Sequence, residues 1–118
     1  MSEDAIDLKE AMERIQDDKD LLLELFDIYL EDHNEKMGEL RVSLQKNDIE
    51  QTKKIAHSLK GAAGNISAKK LHATFLKLEQ LAKQNALAQI GEVIQEIDGQ
   101  FAEFKTNVEK IKQDFQKA

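Results

Sequence analysis

Between Leu87 and Phe115 nine apolar residues fall on a single line. Leu87, Ile90, Ile94, Ile97, Phe101, Phe104, Val108, Ile111 and Phe115 alternate steps of three and four without a miss. That spacing puts all nine on one side of an α-helix and does not fit the two-residue period of a strand. A helix of this span is roughly 40 Å long, and its heptad-like seam needs a partner of similar length. The chain has no proline and five glycines, so helix breakers are scarce. Gly91 and Gly99 fall off the seam and weaken the helix without an evident packing role.

The remaining sequence supplies the partners. A short first helix, capped by Ser2 or Asp4, reaches about Ile15. Asp17-Asp18-Lys19-Asp20 is a polar break, and a second helix runs from about Asp18 to Gln45. Its seam takes Leu22 or Leu23, then Phe26, Leu30, His33, Met37, Leu40 and Leu44. Asn47-Asp48 is a turn and cap. A third helix covers about 48–65, Ser67 caps a fourth with Leu71, Phe75, Leu78 and Ala82 inside, and Gln84-Asn85 turns into the fifth. The expected fold is all-α: an up-down-up-down four-helix bundle with a short additional N-terminal helix, in a single domain over 1–118. A coiled-coil dimer through the last helix is the rival arrangement. It leaves the apolar faces of the other helices uncovered.

The third helix carries two stripes. Ile49, Thr52, Ala56, Leu59, Ala63 and Ile66 form a buried seam, while His57, Lys60, Gly61 and Gly64 follow the same steps roughly 120° around. A histidine thus stands off the core with a cation one turn on and two positions without side chains beside it. Glycine inside a helix costs about 1 kcal/mol relative to alanine. Two on one exposed face imply that something must approach it closely. An imidazole is partly unprotonated near neutral pH and is then a nucleophile. The Lys60 ammonium can stabilise negative charge that develops beside the ring. His33, on an apolar seam, reads as a buried histidine, His72 as ordinary surface, and Met12 and Met37 as core filling.

The segment AHSLKGAAGNISA, residues 56–68, resembles the phosphorylation motif of histidine-containing phosphotransfer (Hpt) domains. The resemblance covers nearly the whole chain. Leu21 to Leu44 resembles the family's second helix, Asn47-Asp48 its turn into the histidine helix, and Leu71 to Leu81, with Leu78-Glu79, the helix that follows. Ser67 departs from the pattern, which usually has glycine there. The resemblance implies that His57 accepts a phosphoryl group from the aspartyl phosphate of a response-regulator receiver domain and passes it to another receiver. A hybrid histidine kinase is one source of such a receiver. The resemblance further implies that the chain binds no cofactor of its own and that Mg²⁺ is held by the receiver. Antiparallel third and fourth helices bring Glu79 back towards His57, where the resemblance implies that it orients the ring through Nδ1. A plain ion pair with Lys83 is the alternative for Glu79. Lys53, Lys54, Ser58, Gly61, Gly64 and Asn65 form the expected partner-binding set, the lysines by steering an acidic receiver face.

Composition removes most other classes. The net charge is −6 without a basic cluster, so nucleic acid and anionic membrane are poor partners. There are no cysteines, hence no disulfide framework and no thiol nucleophile. No apolar run has the length of a membrane span and no signal peptide is evident, so the expected setting is the cytoplasm. The closed bundle makes a monomer the expected state. Met1 and the intact first helix favour a free-standing protein over a piece of a hybrid kinase. The residues three before each histidine are Leu30, Lys54 and Lys69, so the Glu-x-x-His signature of di-iron bundles is missing. There is no His-Glu-x-x-His zinc motif. No glycine-rich nucleotide segment exists, so the chain is expected to be a carrier without ATP-dependent kinase activity. The second functional hypothesis is a non-catalytic module that docks on receivers or another helical partner. A structural coiled coil is the third.

Overall fold

Aspartates start the first three helices. Asp7, Asp18 and Asp48 each accept a hydrogen bond from the backbone N–H three residues on, at 3.1, 3.0 and 3.1 Å. Each such cap is worth about 1 kcal/mol. The computed structural model describes residues 5–117. They form α1 (Leu8–Arg14), α2 (Lys19–Gln45), α3 (Ile49–Asn65), α4 (Lys69–Lys83) and α5 (Leu87–Lys117). The expected caps Ser2 and Asp4 lie outside the described residues. α1 begins later than anticipated, behind Asp7.

The first four helices end in the same way. Gln16, Asn47, Ser67 and Asn85 each take a left-handed conformation with φ between 56° and 59°. The amides of these residues and of their successors fold back on the last turn, as in Asp48 N–H to Ser43 O and Ala68 N–H to Ala63 O. This is the Schellman arrangement, which satisfies carbonyls that the helix end leaves free. Ser67 therefore corrects its expected role. It closes α3 instead of capping α4, whose N-cap is Ala68 and has no side-chain bond. Its φ of 59° also gives a physical reason for glycine at this point of the family pattern.

α2 packs on α3, α3 on α4, α4 on α5 and α5 back on α2, the closed ring of an up-down-up-down bundle. Phe26, Leu40, Leu59, Phe75, Leu78, Ile97 and Phe104 fill the interior and are fully buried. α1 crosses the α3–α4 corner. Asp7 N–H donates to Ser67 O at 2.9 Å, Arg14 to Gly64 O at 3.0 Å, and Ile6 N–H to Asn107 Oδ1 at 3.1 Å.

The seams differ from expectation at their ends. On α5, Val93 is buried where Ile94 was expected, Ile94 and Phe115 are half-buried, and Leu87 is exposed. On α2, Tyr29 and Ser43 are buried while Leu30 and Leu44 are half-buried. A strict seven-residue pattern drifts by about 20° per heptad on a straight helix, so a long seam walks off the contact face. The middle of the α5 seam, from Ile97 to Ile111, is covered within the chain by the other helices of the bundle. Among the described residues no helix is long and apolar enough to cross a membrane.

Candidate functional site

Thr52, Ile55, Ala56, Leu59 and Ala63 face the core from α3. That fixes the rotation of the helix and turns His57 outward, with its side chain 70% exposed. Lys60 lies one turn on and is half-buried, its stem running along the α3–α4 groove. Opposite, on α4, Glu79 is buried although its helical neighbours Lys77 and Gln80 are exposed. The two helices are antiparallel, and Glu79 reaches both residues. Its Oε2 lies 2.8 Å from His57 Nδ1 and its Oε1 2.8 Å from Lys60 Nζ. The plain pair with Lys83 does not form; the carboxylate bridges α3 instead.

A buried carboxylate needs partners to stay charged. The hydrogen bond from the Lys60 ammonium holds the Glu79 carboxyl below its usual range against the opposing effect of burial, and the His57 bond adds to it. An ionised carboxylate only accepts. His57 Nδ1 must therefore carry its hydrogen, and in the neutral ring the lone pair is left on Nε2. The result is an exposed imidazole with one nitrogen tied down and the other free towards solvent.

The two glycines of the outer stripe separate. A Cβ built on Gly61 meets no atom within 4 Å, so the surface beside His57 is open. A Cβ on Gly64 meets the His72 ring, with Nδ1 at 3.0 Å and Cε1 at 3.3 Å. The space a side chain at Gly64 would take is thus filled from within the chain, because α4 lays a ring over it. His72 also departs from its surface reading. It is half-buried and its Nδ1–H donates to the Lys60 carbonyl at 3.0 Å.

The rest of the expected partner set surrounds this centre without touching it. Lys53 is half-buried and paired with Glu50 at 2.9 Å, Lys54 is exposed, and Ser58 is half-buried next to His57. Asn65 ends α3 two turns further on and lines a cleft of about 220 Å³ between α2 and α3 with Leu25, Ile28, Asp32 and Ala62. Ile28 is 62% exposed.

His33 is buried. Its ring stacks on Phe101 at 3.7 Å between centroids, and the Tyr29 hydroxyl lies 3.2 Å from Nδ1. Burial pushes its pKa down to about 4. Of the three histidines, one is in the core, one is wedged between helices, and His57 is exposed. Among the described residues no three histidine, aspartate or glutamate side chains are placed to hold a metal ion.

A family model described as the Hpt domain matches residues 24–114, which takes in most of α2, all of α3 and α4, and α5 almost to its end. No curated protein and no solved structure matches the chain. The match spans well over half of the sequence and contains His57, Lys60 and Glu79. With a helical bundle that presents one exposed histidine, the chain belongs to the Hpt domain family, the phosphotransfer carriers of phosphorelays.

Proposed function

We propose that the chain is a phosphorelay intermediate in which His57 Nε2 takes a phosphoryl group from the aspartyl phosphate of one receiver domain and yields it to another. The observation that carries this reading is the Glu79 bridge. It ties Nδ1 of the one exposed imidazole and leaves Nε2 with a lone pair facing solvent.

In the forward step the Nε2 lone pair attacks phosphorus in line, and the bond from phosphorus to the aspartyl oxygen breaks. The aspartate leaves as a carboxylate with the electron pair of that bond. The ring keeps its Nδ1 hydrogen and becomes a phosphorylated imidazolium, so no proton transfer is needed. Glu79, 2.8 Å from Nδ1, stabilises the positive charge that appears on the ring. Lys60, held by the same carboxylate, keeps an ammonium within reach of the phosphoryl oxygens. The reverse step uses the same groups. The receiver would supply the Mg²⁺ that screens the phosphoryl charge, and none of this chain's residues is asked to hold it.

Gly61 gives a receiver loop close approach to His57. The cleft beside it, with exposed Ile28, offers apolar surface for the rest of the contact. Lys54, exposed one turn before His57, complements an acidic receiver face, and Lys53 borders the same side. The covered middle of the α5 seam supports a monomer, and the relay operates in the cytoplasm with receivers, not ATP, as the phosphate source.

The test is transfer from a panel of ³²P-labelled receivers to wild type and His57→Gln side by side. Acid-labile, base-stable label on wild type alone is the expected result. Binding of receivers with no transfer from any of them would replace the relay by a docking module.

A further inference from the structure

We propose that His72 is a positioning residue for the phosphotransfer site, bonded to the Lys60 carbonyl across Gly64 and fixing the α3–α4 register that puts Glu79 on His57. The inference rests on the reading of His57 as the phosphate acceptor.

The contact is unusual for a helix interior. A mid-helix carbonyl already accepts the N–H four residues on, and its second lone pair is reached only where a neighbouring helix can come close to the backbone. For Lys60 the residue four on is Gly64. Without a side chain there, the His72 ring lies against the helix backbone and its Nδ1–H reaches the Lys60 oxygen at 3.0 Å. A Cβ on Gly64 would sit 3.0 Å from the same nitrogen, tighter than ordinary packing allows. Histidine and glycine thus form one device, and the helix cost of Gly64 is offset by a bond between helices. Gly61, three residues earlier, has no such neighbour.

His72 and Glu79 are seven residues apart, two turns along one face of α4. Lys60 is consequently held by α4 at both ends, its carbonyl by His72 and its ammonium by Glu79. The Glu79–His57 distance of 2.8 Å depends on how far α4 lies along α3. N–H···O bonds span only about 2.7–3.2 Å and weaken steeply once bent below about 120°, so a small slide or roll of α4 releases the His57 ring. A purely stabilising His72 would lower melting temperature when replaced and leave the state of His57 alone. A positioning residue changes that state.

The experiment is ¹H–¹⁵N correlation of the histidine rings in ¹⁵N-labelled protein, with receiver-to-protein transfer rates on the same samples. The set is wild type, His72→Leu, Gly64→Ala and His72→Asn, whose amide can donate from nearly the same place. His57 in wild type is expected in the Nδ1–H form. His72→Leu and Gly64→Ala should each move His57 out of that form and slow transfer by roughly threefold to tenfold, the factor that one hydrogen bond is worth. His72→Asn should restore both. Wild-type His57 shifts in His72→Leu and Gly64→Ala would overturn the proposal, whatever their melting temperatures. If His72→Leu does not fold, Gly64→Ala against His72→Asn decides the same question. If wild type accepts phosphate from no receiver, the functional reading fails, while the His57 shifts still decide the place of His72.

Discussion

Replacing Glu79 by alanine removes one acceptor from two donors at once, and the two losses have different sizes. The Lys60 side chain is 22% exposed and has a long stem, so its ammonium can swing to water when Glu79 is gone. The cost then lies between that of a surface pair and that of a stranded buried charge, about 1–2 kcal/mol. For a domain of this length that lowers Tm by roughly 4–8 °C. The His57 bond is more screened, because that side chain is 70% exposed. Discounted for solvent, its loss costs about 1 kcal/mol of ring orientation and tautomer, or roughly fivefold in rate. Rapid-quench transfer with the receiver concentration varied separates the rate at saturation from docking. Glu79→Ala should lower the saturating rate about fivefold and leave the half-saturating concentration unchanged, since Glu79 is buried beneath the contact surface. A wild-type saturating rate would refute the orienting role. A loss as complete as that of His57→Gln would mean that the carboxylate does more than hold the ring.

Gly61→Gln adds a side chain where no atom lies within 4 Å, so helix propensity should raise stability by roughly 0.5–1 kcal/mol while receiver docking weakens; unchanged docking would remove Gly61 from the interface. His33 has an ordinary pKa of 6.5 unfolded and about 4 folded, so between these values the unfolded chain binds a proton that the native one does not. Stability is then complete above pH 6.5 and falls as pH drops towards 4, by about 2–3 kcal/mol at pH 4.5 in urea titrations. His33→Phe should flatten that slope. Glu79, whose carboxyl is held below 4.5, contributes stability that is lost only at lower pH, so the two windows are separable. Ser67→Gly relieves a left-handed residue and should raise stability by about 1 kcal/mol, read as Tm; an unchanged Tm would show that serine bears no strain there.

What the sequence disclosed follows from what leaves a periodic or chemical trace. The α5 seam and the two stripes of α3 were legible because burial repeats every three or four residues, and their errors at Ile94, Leu30 and Leu44 come from the drift of that repeat. Asn47 and Asn85 announced their turns because asparagine tolerates the left-handed region. Gln16 and Ser67 adopt it without such a sign. Glu79 could be placed by pairing α3 against α4, since both ends of that hairpin are marked. His72 could not be recognised in the same way. Its partner is a backbone carbonyl, which every residue has, and the glycine that exposes it looks like its neighbour Gly61. The seven-residue spacing from Glu79 was the one available hint.

In the proposed relay the phosphate rests on one particular nitrogen, Nε2 of His57. Wild type phosphorylated by a receiver and labelled with ¹⁵N in its histidine rings permits a direct reading of the phosphorus–nitrogen coupling. The expected result is one phosphorylated ring, His57, bonded at Nε2, with Nδ1 still bearing hydrogen and shifted by the Glu79 carboxylate. Phosphorus on Nδ1 of His57, on His72, or on no histidine would contradict it.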